Sequence, residues 1–267
     1  MTRLRADATE MIREQFEFRE LLVQLTARDL LLRYKQTAMG FAWALLTPLL
    51  NTAIFSVIFM RVAPVETPVP YPLFVYCGML SWNFTASALR FAVTSLTANT
   101  NLVTKVYFPR EIFPFSAVAV SLVDFFVAST VLVVMLIYYR VTPTAALAFL
   151  PLILLVQTAF TLAASLFLAM ANLFYRDVKY LFEVVLTVWM FGSAIVYPLE
   201  SVRGGLLGLV LRLNPMTTIV DAYRHVILYG TAPPLAPFAS VTLLSLVLLP
   251  VVWLTFHRSE FRFAEHI

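Results

Sequence analysis

The chain has 267 residues, of which 61% are hydrophobic and 13% charged, with a mean hydropathy of +0.85 and a formal charge of +4. This is far more apolar surface than one soluble core of that length needs, so the composition excludes an ordinary water-soluble domain and predicts a polytopic all-α membrane protein. The net charge is modest, no nucleic-acid partner is expected, and what matters is where the bases fall relative to the spans.

Residues 1–37 are charged and partly amphipathic. Phe18, Leu21, Leu22, Leu25 and Leu32 recur at helical spacing among Arg13, Arg19, Arg28, Arg33 and Lys35. The pattern suits a helix lying in the membrane interface or packing on a partner protein. No apolar signal-peptide core precedes residue 38, so the segment is expected in the mature chain.

Residues 39–60 form a first span, about 22 residues and long enough to cross roughly 30 Å of hydrocarbon. Pro48 within it predicts a kink. Pro64, Pro68 and Pro70 break the connector 61–71, and a second span runs from residue 72 to about 96 with Trp82 and Arg90 inside it.

The stretch 97–114, TANTNLVTKVYFPREIFP, is polar, basic and proline-punctuated between two long apolar runs. It must lie outside the hydrocarbon while both neighbours lie inside. Asn99, Thr100 and Asn101 suit the cap of a short helix carrying Leu102, Val103, Val106 and Phe108 beside Lys105 and Arg110. So short a helix is not stable alone in water, so its apolar side needs a cover of protein or headgroups. The stretch reads as a docking element or as a loop on the headgroups.

A third span, 114–138, carries Asp124 near its middle. After a turn at 140–144 a fourth span runs from 145 to 173, followed by the connector FYRDVKY at 174–180 and a fifth span at 180–197 ended by Pro198. Within 199–234, the apolar piece 204–213 is too short to cross. The next piece, 215–229, is amphipathic and carries Asp221, Arg224 and His225, costly groups in lipid. These read as two half-helices capping or dipping into the outer leaflet. The last span is 237–256, with a charged tail at 257–267.

Six spans put both termini on one side. With that side inside, thirteen of the 19 bases fall on inner segments and five on outer ones, Arg61, Arg140, Arg203, Arg212 and Arg224, with Arg90 in the second span. The excess predicts both termini in the cytoplasm.

Several chemistries are disfavoured. No glycine precedes a lysine, so a Walker A phosphate loop is absent from the sequence. His225, His257 and His266 show no metal-ligand spacing, so no metal site is expected, and Cys77 alone forms no intrachain disulfide. Arg90 and Asp124 are candidates for an intramembrane polar pair: an interhelical bridge between spans two and three, or the proton-coupling pair of a secondary transporter. Glu183 is placed to pair with Lys179 at i, i+4. Arg176 and Asp177 on their short turn suit either a second docking contact or a local salt bridge and helix cap. Phe41, Trp43, Phe55, Phe59, Trp82, Trp189, Phe191 and Tyr197 are candidates to line a path for sugar rings, whose CH faces stack on aromatics, against the commoner roles of core and interfacial belt.

Five motifs then carry a resemblance: RYKQTAMGFAWALLTPL (33–49), YPLFVYCGMLSW (71–82), NLVTKVYFPR (101–110), NLFYRDVKY (172–180) and NPM…DAYR (214–224). In this order they resemble the permease subunit of Wzm-like and TagG-like polysaccharide ABC exporters of the ABC-2 type, across almost the whole chain. Met39 and Tyr223 depart mildly from the pattern. The resemblance implies a homodimer in the bacterial inner membrane joined to two copies of a cytoplasmic ATPase subunit that binds ATP and Mg2+, with no cofactor and no catalytic residue in this chain. Its cargo would be a lipid-linked polysaccharide of the O-antigen, teichoic acid or capsule type. Asn99, Asn101, Leu102, Val103, Lys105, Val106, Phe108, Pro109 and Arg110 would form the coupling helix seated on the ATPase, and Asn214, Pro215, Asp221 and Arg224 an outer gate. The expected domains are a cytoplasmic segment 1–37, a permease domain 38–256 and a tail 257–267. A proton-coupled transporter using Asp124 and a polytopic lipid-linked-sugar transferase are the alternatives.

Overall fold

The computed structural model describes residues 10–11, 13–35, 39–40, 42–105, 108–202 and 204–263, which are helices and connecting turns with no strand among them. Helix α1 (Arg19–Tyr34) is followed by α2 (Ala42–Val57), which continues through a π-helical turn (Ile58–Val62). Helix α3 (Tyr71–Ala98) opens with Pro72 in its first turn, where a missing N–H costs nothing. The short α4 (Thr100–Lys105) and the long α5 (Ile112–Tyr138) come next. A 3-10 turn (Ala145–Phe149) leads into α6 (Leu150–Phe174), and then α7 (Val178–Phe191). The two short helices are α8 (Gly205–Leu213) and α9 (Pro215–Ile227), and α10 (Leu235–Ser259) closes with a 3-10 turn (Glu260–Arg262).

Among the described residues, four helical stretches are long and apolar enough to cross a membrane: Ala42–Val62, Ile112–Tyr138, Ala145–Phe174 and Leu235–Arg262. Helix α3 is not one of them by composition. It is the most enclosed element, and its inward face carries polar groups that the neighbouring helices satisfy. Gln157 of α6 donates to the Ser81 carbonyl at 2.7 Å and to Thr85 Oγ1 at 3.0 Å, and Thr85 meets Thr161 at 3.1 Å. Such interhelical hydrogen bonds hold helices together where lipid provides no hydrophobic drive.

The helical part of the expected fifth span stops earlier than the apolar run 180–197 suggests: α7 ends at Phe191, and residues 192–197 are turns. Gly192 is the C-cap, and the turn that follows is held by Arg224 of α9. Arg224 is buried at 2% exposure, lies over the Phe74 ring at 3.6 Å, and donates to the carbonyls of Ala194 and Ile195. Those carbonyls would serve the α-helical ladder if the helix continued. Gly78 of α3 makes room, since a Cβ there would lie 2.8 Å from Arg224 Nη2 and 3.1 Å from the Ile195 carbonyl oxygen.

Two apolar cores result. One surrounds the Tyr71 half of α3, with α5, α6 and α9 packed about it. The other, at the Ala98 end, gathers Leu25, Leu96, Val103, Phe108, Ile112 and Phe113 with residues of α6 and α10. The 28 residues of α3 separate the two ends by roughly 40 Å.

Candidate functional site

At the Ala98 end, the segment from Asn99 to Arg110 forms a clasp made by its own side chains. Asn99 does not cap α4 with its side chain as the sequence suggests. It turns back, donating from Nδ2 to the Ser95 carbonyl at 2.8 Å, and its Oδ1 accepts from Arg28 of α1 at 3.1 Å. Val103 and Phe108 are buried, Phe108 against Phe113 with ring centroids 5.5 Å apart, and Pro109 is buried as well. The cover that the apolar side of α4 requires is therefore supplied by this chain.

Arg110 also points inward. Its guanidinium donates to the Val103 carbonyl at 3.3 Å and to the Glu260 carbonyl at 2.8 Å, and lies 3.4 Å from Glu260 Oε1. The clasp is thus tied to the turn that follows α10. Among the described residues of the segment, Asn101 is the exposed one and Leu102 is half-buried. The Lys105 side chain, Val106 and Phe41 lie outside the described residues. Arg176 and Asp177 are exposed on the α6–α7 turn, and Asp177 makes no side-chain cap bond; Asn172 Oδ1 accepts from the Lys179 amide instead, at 3.2 Å.

The polar groups between the helices pair differently from the expectation. Arg90 and Asp124 line one cavity of about 540 Å3 with Tyr34, Trp43 and Asn83, but they do not pair with each other. Asp124 is held by Arg33 and by the Tyr34 hydroxyl, the latter at 2.5 Å, both from α1. Burial and the hydrogen bond to Asp124 push the Tyr34 hydroxyl up to about 12, so it stays protonated and donates. Arg90 reaches Glu183 of α7 at 3.2 Å, so Glu183 pairs across helices rather than with Lys179, which lies over the Tyr180 ring. Burial also raises the Glu14 carboxyl above its usual range, against the pull of His257.

The candidate aromatics separate by exposure. Trp82 is 3% exposed and packs edge-on against Trp189 at 5.5 Å, inside the chain's own core. Phe55, Phe59 and Tyr71 form a chain of ring contacts, with Phe55 also meeting Phe191 at 6.5 Å, while the Tyr197 hydroxyl donates to the Phe191 carbonyl at 2.6 Å. Trp43 and Phe191 remain exposed, at 46% and 48%.

At the Tyr71 end, Asn214 occupies the joint between α8 and α9. Its Oδ1 accepts from the Met216 amide and from Trp189 Nε1, both at 3.0 Å, and its Nδ2 donates to the Gly192 carbonyl at 2.6 Å and to Ser193 Oγ at 2.9 Å. Pro215 follows as the first helical residue. Asp221 lies 3.6 Å from His225 one turn on. Asn214 and Arg224 are thus structural anchors of the turn 192–197, while Asp221 and His225 keep partial exposure.

Sequence reasoning missed Arg33 and Tyr34 as partners of Asp124, and Glu111, His257 and Glu260 as a group. A signal existed for the last, since HRSE places His257 and Glu260 at i, i+3, but Glu111 is 146 positions away from His257.

The chain belongs to the ABC-2 type transporter family, whose sequence pattern matches residues 20–228. Its relatives include a Myxococcus xanthus protein named O-antigen export system permease protein RfbA, 30% identical over 258 residues, which cover 96% of this chain and 99% of the relative. A Klebsiella pneumoniae protein of the same name is 29% identical over 248 residues, 92% of this chain and 94% of that one.

Proposed function

We propose that this chain is the membrane permease subunit of an ATP-driven exporter that moves a lipid-linked polysaccharide across the bacterial inner membrane. The observation that carries the reading is similarity along nearly the full length to relatives named as O-antigen export permeases. In this reading α2, α3, α5, α6, α7 with the turn after it, and α10 make six crossings with both termini cytoplasmic. Irregular backbone at 192–197 is compatible with membrane depth because Ser193, Ala194, Ile195 and Val196 are buried in protein. Residues 38–256 are the permease domain, 1–37 a cytoplasmic segment with an interfacial helix, and 257–267 a tail.

Two such chains pair around the cargo, and two copies of a separate ATPase subunit bind ATP and Mg2+ below them. The Asn99–Arg110 segment receives their motion through its exposed face. Because that segment is bound to α1 through Arg28 and to the end of α10 through Glu260, a push on it reaches both elements together. Exposed aromatics such as Trp43 and Phe191 suit the sugar path, and α8 and α9 form the outer gate. The proton-coupling alternative loses support from the Arg33 and Tyr34 contacts, which occupy both oxygens of the Asp124 carboxyl.

Deleting the gene and tagging the protein test this. The deletion strain is expected to lose surface polysaccharide and accumulate it inside, and the tagged chain to co-purify with an ATPase subunit. Normal surface polysaccharide in the deletion strain would overturn the reading.

A further inference from the structure

Behind the clasp, three potential metal ligands converge from two distant parts of the chain. Glu111 precedes α5, His257 is in the last turn of α10, and Glu260 is in the following 3-10 turn; one ligand atom from each lies within 4.8 Å of the others. His257 Nδ1 is 3.1 Å from Glu111 Oε1 and 3.9 Å from Glu260 Oε2. Only the first is a hydrogen-bond distance.

Among the described residues the cluster is short of donors. Glu111 has 0% exposure, and its second oxygen, Oε2, is buried with no hydrogen-bond partner among them. One imidazole N–H serves one carboxylate oxygen. Arg110 is occupied with Oε1 of Glu260, the oxygen that does not face the histidine. A buried carboxylate oxygen left in that state is satisfied by an ordered water or a cation, and the imidazole and second carboxylate beside it favour the cation. Beside the triad is a cavity of about 400 Å3, which Glu10 and Glu14 of the N-terminal segment also line, along with Arg110 and Arg258.

We propose that Glu111, His257 and Glu260 form a binding site for one divalent transition-metal cation of the zinc or cobalt class. One imidazole nitrogen with two carboxylates suits such borderline ions better than calcium or magnesium, which prefer oxygen alone. Ligand distances of about 2.0–2.2 Å need the three side chains to close in by small rotations. The open coordination positions face the cavity, where Glu14 or water completes the shell. The bound ion pins the end of α10 to the start of α5, directly behind Arg110, and this holds whatever cargo the protein moves.

The test uses the full-length, untagged chain in detergent, stripped with chelator and titrated with Co2+, whose visible absorption reports coordination. One Co2+ per chain is expected, displaced by Zn2+. Glu111→Gln and His257→Ala are each expected to weaken binding at least tenfold, with elution on gel filtration checked so that misfolding is recognised, while His225→Ala leaves it unchanged. The wild-type titration stands on its own: no saturable Co2+ binding overturns the proposal. So does adventitious binding only, seen as affinity unchanged in well-folded Glu111→Gln and His257→Ala.

Discussion

Arg33 in the last turn of α1 and Asp124 in the middle of α5 form an ion pair across 91 positions of sequence, each side chain less than one-fifth exposed. The pair explains how an apolar helix carries a carboxylate: the charge is met by a guanidinium that also lies 3.7 Å over the Phe91 ring. It fastens the N-terminal helix to the bundle.

Removing one partner of an enclosed pair leaves a charge without compensation. Arg33→Ala is expected to lower stability by up to about 3 kcal/mol, and Arg33→Ala with Asp124→Leu by less than that single change. Thermal unfolding in detergent checks this. Asp124→Asn, which still accepts from Arg33 and Tyr34, is expected to keep export, whereas a proton-coupled mechanism requires it to be dead.

Phe108 and Asn101 are expected to behave oppositely, although both belong to the clasp. Phe108→Ala opens the core at the Ala98 end and is expected to cost about 3–5 kcal/mol and reduce the amount of protein in the membrane. Asn101→Trp, on the exposed side, is expected to leave that amount unchanged and lower cargo-stimulated ATPase activity. Quantitative blotting beside ATPase assays separates the two.

Gly78 and Arg224 form a second dependent pair. A methyl group at Gly78 meets the guanidinium at 2.8 Å and the Ile195 carbonyl at 3.1 Å, neither of which has free space to move. Gly78→Ala is expected to destabilise by about 1–3 kcal/mol in an unfolding assay.

Asn214 makes four hydrogen bonds around the turn that ends α7, to the Met216 amide, Trp189, Gly192 and Ser193. Asn214→Ala is expected to cost about 2 kcal/mol, through the lost helix cap and the buried donors left unmet. A lowered unfolding midpoint with more rapid proteolysis between residues 192 and 214 is the expected readout.

Much of this architecture is legible in the sequence, because apolar runs broken by proline and glycine report membrane spans directly. Pro72 and Asn214-Pro215 each mark a boundary that the helices respect, whereas α7 ends well before Pro198. The early end of α7 carries only a short local signal, Gly192 and Ser193 straight after Phe191, inside a run that is otherwise apolar to Tyr197, while the Arg224 that binds the carbonyls of the turn lies some thirty positions later. The partners of Asp124 and Arg90 were hidden for the same reason: local spacing offers Lys179 to Glu183, while the fold offers Arg90. Within 97–114 the sequence identifies a special segment but not its facing, because Phe108 and Arg110 resemble contact residues until the turn after α10 is brought beside them.

The chain is expected to move cargo only with force from a separate ATPase. Proteoliposomes holding the purified chain, with and without its ATPase subunit, measure that directly. Transport of lipid-linked polysaccharide is predicted only when the ATPase and ATP are both present, and to persist when the proton gradient is collapsed. Transport by the chain alone, driven by a proton gradient, would contradict the account.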